Sequence, residues 1–187
     1  MNRWTGWRWG LVSLVMGLAA CASPPRLPGE APWTAGRLSL RVQATAEQPE
    51  RSFSAAFELR GDGSQGELNI QSPLGTRLVA ARWTPAGARL TSAQGEQDYT
   101  SLDALSREAL GEALPLAALP DWLAGRPWAQ AAHRPAATGF DQLGWSVDLS
   151  RWAEGWITAR RASAPAVLLR VKLEAAPEAT PRSGAPP

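Results

Sequence analysis

Apolar and polar residues alternate along much of the chain between residues 37 and 173, and this pattern predicts β-strands. A period of two places successive side chains on opposite faces of a strand, so each run has one apolar face. The apolar positions of the five clearest runs are Leu38, Leu40 and Val42; Phe53, Ala55, Phe57 and Leu59; Leu68 and Ile70; Trp145, Val147 and Leu149; and Val167, Leu169, Val171 and Leu173.

Short turn-forming segments separate these predicted strands. Glycine, proline and aspartate are concentrated at residues 61–63, 72–75 and 85–87, directly after or between the alternating runs. Because connections this short join antiparallel neighbours, the chain is predicted to form a curved antiparallel sheet or barrel.

A first helix is predicted near residue 100. Thr100 or Ser101 can cap its start, and Gly111 can close its end. The apolar residues that share one face of this helix are Leu102, Leu105, Ala109 and Leu110.

A second helical segment spans residues 114–127 and begins near Pro115. Its apolar side chains are Leu116, Leu119 and Leu123 on one side, with Trp122 beside them. Pro120 within a continuous helix would cost about 3 kcal/mol, so we expect a kink there or two consecutive short turns. The two helices either cover an apolar cavity as a lid or fill the core, and the pattern allows both.

One predicted turn carries an apolar residue at its tip. Leu74 lies between Pro73, which presets a turn, and Gly75, which can adopt a positive φ. Leu74 either folds back over the barrel mouth or projects into solvent, and the residues themselves favour neither arrangement.

The chain begins with the layout of a secretory signal peptide. Arg3 and Arg8 precede an apolar stretch at residues 11–18, and Leu-Ala-Ala-Cys follows at residues 18–21. This resembles the bacterial lipobox, which implies that Cys21 is acylated; the alternative is an ordinary signal peptide with a chance cysteine. We expect a lipoprotein signal peptide at 1–20, a lipidated N-terminus and tether at 21–33, one β-domain at 34–174, and a disordered Pro/Ala-rich tail at 175–187.

The charge balance argues against nucleic-acid binding. The chain has 19 basic and 17 acidic residues, and Arg3 and Arg8 leave with the signal peptide, so 19 − 2 = 17 basic residues meet 17 acidic ones. The mature chain is formally neutral and has no dense Lys/Arg cluster to attract a polyanion.

No residue pattern in the sequence indicates catalysis, a cofactor or a metal. The single histidine, His133, lies in a polar Ala/Pro-rich stretch at 130–138 and is predicted to be a solvated loop residue. Cys21 is the single thiol and is expected to carry lipid. The letters G-x-G-x-x-G at residues 61–66 fall between two predicted strands with no helix after them, so we interpret them as a hairpin loop.

Four ordered segments resemble the LolB family of outer-membrane lipoprotein receptors. They are GRLSLRV at 36–42, IQSPLGT at 70–76, LPLAALPDWLAGRP at 114–127 and GWSVDLSRW at 144–152, all behind the lipobox. The resemblance implies a mainly β fold with short α-helices, an incomplete antiparallel β-barrel with a helical lid over an apolar cavity. Pro120 departs from the helix expected at its position.

The resemblance also implies a function. Such receptors accept acylated lipoproteins from the periplasmic carrier LolA and insert them into the outer membrane, without cofactor or nucleotide. We expect a monomer that is anchored by lipid on the periplasmic side of the outer membrane. The outer membrane is expected because Ala22 follows Cys21, where an aspartate would resemble an inner-membrane retention signal. The resemblance assigns the turn of Pro73, Leu74 and Gly75 to delivery of cargo into lipid.

The inward positions of the predicted strands and helices are candidates for an acyl-chain cavity, and about half are expected to line it. They are Leu38, Leu40, Phe53, Phe57, Leu68, Ile70, Leu116, Leu119, Trp122, Leu123, Trp145, Val147, Leu169 and Val171. Two other hypotheses stay open: a structural or scaffolding outer-membrane lipoprotein with a filled core, and a lipid-processing enzyme.

Overall fold

The computed structural model describes residues 31–72, 74–110 and 112–175. The predictions for Cys21, for the signal peptide, for Pro73, for Gly111 and for the tail beyond residue 175 therefore lie outside the described residues. They remain predictions, as do the proposed domain boundaries.

Strands form most of the described structure. Their bounds are β1 Thr34–Val42, β2 Arg51–Gly61, β3 Gly66–Gln71, β4 Arg77–Thr84, β5 Gly87–Ser92, β6 Gly95–Tyr99, β7 His133–Ala136, β8 Gly139–Gln142, β9 Trp145–Asp148, β10 Trp156–Arg161 and β11 Val167–Leu173. A 3₁₀ helix, Trp152–Glu154, precedes β10. All five alternating runs of the sequence fall on strands, apart from Leu149 just beyond β9.

All eleven described strands belong to one antiparallel sheet. The order is β6-β5-β4-β3-β2-β1-β11-β10-β9-β8-β7, so each neighbouring pair consists of consecutive strands except β1 with β11. That pairing runs from Gly36 opposite Leu173 to Val42 opposite Val167. Because β6 and β7 are edges that do not pair, the sheet stays open, which confirms the predicted incomplete antiparallel barrel.

The sheet is amphipathic across its two faces. On β1 and β11 the buried side chains include Leu40, Val42, Leu169 and Val171, which share the inner face. On the outer face of β3, Glu67 accepts hydrogen bonds from Arg60 at 3.0 Å and from Arg82 at 3.4 Å. Burial disfavours the charged form of Glu67, but these bonds outweigh it and hold the pKa of its carboxyl below the usual range.

The loop between β2 and β3 is a hairpin, as the sequence predicts. Asp62 Oδ1 accepts hydrogen bonds from the Ser64 hydroxyl at 2.6 Å and from the Gln65 and Ser64 backbone N–H groups. These bonds stabilise the charged form and lower the pKa of Asp62. The glycines at residues 61–66 therefore belong to a hairpin turn between β2 and β3, and no helix follows them there.

Helix α1, Leu102–Leu110, begins where the capping pattern predicts. The Ala104 backbone N–H donates to Ser101 Oγ at 3.1 Å, so Ser101 is the N-cap. Leu102 and Leu105 are buried. Among the described residues, no helix is long and apolar enough to cross a bilayer.

The second helical segment consists of two short turns, as expected from Pro120. The Ala118 N–H donates to the Pro115 carbonyl at 2.9 Å, and α2, Leu119–Leu123, follows directly. Pro120 is in the first turn of α2, where its missing N–H breaks no helical bond. We call α1, α2 and the segment between them the lid.

The interpretation of residues 130–138 as a loop was wrong. His133–Ala136 form β7, which pairs with β8 at the edge of the sheet. An edge strand tolerates Pro135, because its missing N–H removes a bond that the open side does not need. His133 is solvent-exposed, as predicted, and its ring meets Phe140 edge-on at 6.3 Å between centroids.

A buried amide joins the lid to the sheet. Gln142 on β8 is almost fully buried, and its Oε1 accepts from Trp122 Nε1 and from the Trp128 backbone N–H, both at 2.9 Å. Its Nε2 donates to the carbonyls of Trp128 and Ala131, both at 2.8 Å. Gln142 therefore pairs with one buried group, the Trp122 indole N–H, and with three partly buried backbone groups.

We expect Gln142→Leu to lower the free energy of unfolding by about 2–3 kcal/mol, because it leaves the buried Trp122 N–H and three partly buried backbone groups without this partner. Urea denaturation followed by tryptophan fluorescence measures the change. Gln97→Leu is the matched control: its Nε2 bonds Glu108 at the surface, so its loss costs less than about 0.5 kcal/mol. Equal effects of the two variants would contradict the role assigned to Gln142.

Candidate functional site

An apolar cavity lies between the inner face of the sheet and the lid. Its volume is about 370 Å³, within the range of about 300–1,000 Å³ that is typical of ligand pockets. Its lining residues come from β1 to β5, β11, both helices and the segment between the helices. They are Leu38, Leu40, Val42, Arg51, Ser52, Phe53, Leu68, Ile70, Val79, Ala81, Leu90, Leu105, Ala109, Leu114, Pro115, Leu116, Leu119, Trp122 and Leu169.

The lining is almost wholly apolar. Arg51 is the single charged side chain among the described lining residues, and Ser52 supplies a hydroxyl group. Such a surface gains free energy by covering hydrocarbon and offers little to a polar substrate.

Nine of the fourteen candidate cavity residues line this space, and five do not. The nine are Leu38, Leu40, Phe53, Leu68, Ile70, Leu116, Leu119, Trp122 and Leu169. The other five are buried in the packed core; they are Phe57, Leu123, Trp145, Val147 and Val171. Alternation identified the inward face correctly, but only packing separates core from cavity.

Several lining residues were not predicted from the sequence. Val79 and Ala81 lie on the inner face of β4, and Leu90 lies on β5, two strands whose short apolar runs were not assigned. Leu105 and Ala109 were recognised as an apolar helix face but not as cavity wall. Leu114 and Pro115 lie between α1 and α2, where no apolar periodicity marks a residue as part of the cavity wall.

Trp122 separates the cavity from the filled half of the core. Its ring lies 6.3 Å from the rings of both Phe140 and Trp145, measured between centroids. These aromatic contacts occupy the space beneath β8 and β9, whereas the cavity lies beneath β1 to β5. The bond from Trp122 to Gln142 fixes the indole in this position.

The cavity reaches the surface at one end of the sheet. Phe53 is more than one-third exposed although it lines the cavity, and Arg51 beside it starts β2. β2 and β4 run parallel to each other with β3 between them, so the β3–β4 turn is at this same end. We call this end of the sheet the mouth end.

An ion-pair cluster holds the lid at the mouth end. Glu112, between α1 and α2, lies 2.6 Å from Arg161 Nη2 at the end of β10 and 3.7 Å from Arg51 Nη2. Arg161 Nη2 also donates to the Pro165 carbonyl at 3.0 Å. Two strands are thereby tied to the lid through one carboxylate.

The β3–β4 turn presents Leu74 to solvent. Gly75 has φ of +81°, and its N–H donates to the Ser72 carbonyl at 2.9 Å. Ser72 Oγ accepts from the N–H groups of Leu74 at 3.3 Å and Thr76 at 3.2 Å. The Leu74 side chain is 94% exposed, so it does not fold back over the mouth.

Within the described ranges, no group of three or more His, Cys, Asp or Glu side chains could hold a metal ion. His133 lies on the edge strand β7 and is not one of the residues that line the cavity. The described lining thus offers neither a nucleophile paired with a base nor a metal ligand set.

The described chain is thus an open antiparallel β-sheet protein with an apolar cavity under a short helical lid. The family model for the outer membrane lipoprotein LolB matches residues 34–175 of this chain. The chain therefore belongs to the LolB family of outer-membrane lipoproteins.

Individual relatives agree with the family match. The outer-membrane lipoprotein LolB of Bordetella petrii is 32% identical over 164 residues, which cover 79% of this chain and 81% of the relative. That of Bordetella pertussis is 34% identical over 154 residues, covering 76% and 77%. That of Dechloromonas aromatica is 32% identical over 160 residues, covering 75% and 80%.

Membership of this family confirms the predicted class of protein. It implies the role of an outer-membrane lipoprotein receptor in lipoprotein localisation, which is not an enzymatic role. The lipid-processing hypothesis is thereby set aside, and the outer membrane is the location of the protein.

We expect Glu112→Gln to lower the free energy of unfolding by about 2–3 kcal/mol, because it removes the charge partner of the largely buried Arg161. Glu154→Gln is the matched control. Glu154 pairs with Arg151 at the same 2.6 Å, but its side chain is 59% exposed against 10% for Glu112. The control should lose much less stability, because solvent screens an ion pair at the surface. Similar losses in urea denaturation of the two variants would contradict a structural role for the cluster.

Proposed function

We propose that the cavity receives the acyl chains of lipoproteins delivered by the periplasmic carrier LolA, and that the Leu74 turn then transfers them to the outer membrane. The observation that carries the proposal is that the cavity and Leu74 share the mouth end of the sheet. A cargo leaving the cavity would therefore emerge beside the most exposed apolar side chain that is described.

The apolar cavity can shield the acyl chains of the cargo from water. Each methylene exposed to water costs about 0.8 kcal/mol, so a lipoprotein with several acyl chains needs a continuous apolar path. Walls such as Leu40, Leu68 and Leu119 supply that path, whereas a filled scaffold core would leave no space for a chain.

Transfer needs no nucleotide in this scheme. A cargo moves spontaneously from a weaker binding site to a stronger one and then into the bilayer, where its chains are fully covered. Among the described lining residues only Arg51 is charged. A cavity with such a lining suits a receptor that binds acyl chains more strongly than the carrier and less strongly than the bilayer. LolA is the carrier that this proposal requires as partner.

Leu74 acts as a reversible contact with lipid. Burying one leucine side chain contributes about 1.5–3 kcal/mol, which suffices for a brief insertion but not for anchoring. Anchoring is assigned to the acylated Cys21, whose chains together bury many methylene groups. The domain can then approach and leave the bilayer surface while it stays attached to the membrane.

Filling the cavity should block acceptance of cargo. Val79 lines the cavity from β4, so Val79→Trp places an indole in the space that an acyl chain would occupy. We expect transfer from loaded LolA to the receptor to fall about tenfold. Leu78→Trp is the matched control, since Leu78 is the preceding residue of the same strand and points to the outer face.

Transfer is measured by co-purification of a labelled lipoprotein with receptor after incubation with loaded carrier. Circular dichroism verifies that both variants are folded. Unchanged acceptance by a folded Val79→Trp protein would show that cargo binds elsewhere.

Leu74→Glu should separate acceptance from release. The charged side chain resists entry into lipid, whereas the turn keeps its backbone bonds to Ser72, so stability should change by less than about 0.5 kcal/mol. We expect normal acceptance of cargo but at least about tenfold slower insertion into phospholipid vesicles.

Leu74→Phe is the control for the Leu74 experiment, because it keeps an apolar side chain at the tip. It should insert cargo at the wild-type rate. Equal insertion by the Glu and wild-type proteins would refute the assigned role of the turn.

A further inference from the structure

A second hairpin turn also carries an exposed leucine at its tip. Leu143 and Gly144 form the two-residue connection between β8 and β9, and Leu143 is 46% exposed. The sequence pattern did not single it out, because the stretch before the alternating run at Trp145 had no assigned period. In a turn this tight, the side chain has few neighbours that could cover it.

The backbone of this turn makes leucine an unexpected choice. Leu143 has φ of +54° and Gly144 has φ of +77°, which is the geometry of a type I′ hairpin turn. Among the described residues, Leu143 is the single non-glycine residue with positive φ. Asparagine, aspartate or glycine fits this conformation better, and a half-exposed leucine gains little packing in return.

The Leu143 turn lies at the mouth end of the sheet. β9 runs antiparallel to β10, β10 to β11, β11 to β1 and β1 to β2, so β9 is parallel to β2 and hence to β4. The β8–β9 turn precedes β9, just as the β3–β4 turn precedes β4. The two turn leucines, Leu74 and Leu143, therefore lie at the same end of the sheet as the cavity opening.

The surroundings of both turns combine apolar tips with cationic flanks. Arg134 and Arg160 line the same surface groove as Leu143, and Arg134 pairs with Asp141 at 3.1 Å. Arg77, which starts β4, is solvent-exposed beside the Leu74 turn. An apolar tip with arginine side chains nearby suits the boundary where acyl chains meet anionic phosphates.

We propose that Leu143 is a second bilayer-contact residue, which acts with Leu74 so that the mouth end meets the membrane at two turns. β3 and β9 are five strand positions apart, which corresponds to about 24 Å along the curved sheet. Two separated contacts prevent the domain from tilting along the line that joins them, whereas one contact leaves it free to tilt in every direction. This inference rests on the proposed function, in which Leu74 touches lipid.

Fluorescent labelling tests the two contacts separately. Cys21 is the single cysteine of the chain and carries the lipid in this proposal, so Leu143→Cys, Leu74→Cys and Gln65→Cys each introduce one free thiol. Gln65 is exposed in the β2–β3 turn, at the opposite end of the sheet. Each full-length acylated variant carries an environment-sensitive dye and is reconstituted in phosphatidylethanolamine and phosphatidylglycerol vesicles.

We expect blue-shifted emission and quenching by spin-labelled lipid from the dye at positions 143 and 74, and neither effect at position 65. A dye in water at position 143 but in lipid at position 74 would overturn this inference alone. A dye in water at both positions would overturn the proposed function together with it.

The Leu143→Asn variant separates membrane contact from a folding role. Asparagine suits the positive φ, so the melting temperature should equal or exceed that of the wild type. We nevertheless expect cargo insertion into vesicles to slow by roughly fivefold. Leu143 is about half exposed, so its replacement removes about half of the lipid contact that a fully exposed leucine would make.

Trp33→Ser is the control for a nonspecific loss of apolar surface. Trp33 is 43% exposed and precedes β1, at the end opposite the mouth, so its replacement should leave insertion unchanged. Wild-type insertion by Leu143→Asn, or an equal loss in the Trp33 variant, would overturn the assignment of Leu143.

Discussion

The position of β6 and β7 constrains the rest of the structure. These strands follow one another in sequence apart from the lid, yet they form the two opposite edges of the sheet. The chain between them must therefore pass from one edge to the other across the inner face. Its two short helices do not fill the space beneath β1 to β5, and the space left between the helices and the sheet is the cavity.

The sequence predicts those parts of the fold that have a strong local period. β1, β2, β3, β9 and β11 alternate clearly, and the Ser101 cap and the Pro120 break follow local rules that tertiary contacts do not change. The strand at His133 escaped prediction because an edge strand with Pro135 has no buried face to create a period. The pairing of β1 with β11 joins distant segments, so no local pattern could reveal it.

The candidate cavity was only partly predictable for a similar reason. Alternation shows that Leu40 and Val147 both point inward, but Val147 meets the aromatic residues around Trp122 whereas Leu40 faces space. Whether an inward residue lines a cavity depends on what lies opposite it, and that depends on where the lid crosses. Arg51 was missed because a charged residue at a strand end resembles an ordinary surface position.

The direction of β1 sets a limit on how an anchored domain can work. Its first residue, Thr34, lies at the end of the sheet opposite the mouth, so the segment after Cys21 enters the domain on the far side from Leu74. About a dozen residues separate Cys21 from Thr34, and such a segment spans at most about 40 Å. The nine residues of β1 alone extend about 30 Å. The longest span available to the segment behind the proposed anchor is therefore only slightly greater than the length of β1, so the anchor would limit how far the mouth end can reach from the point of attachment.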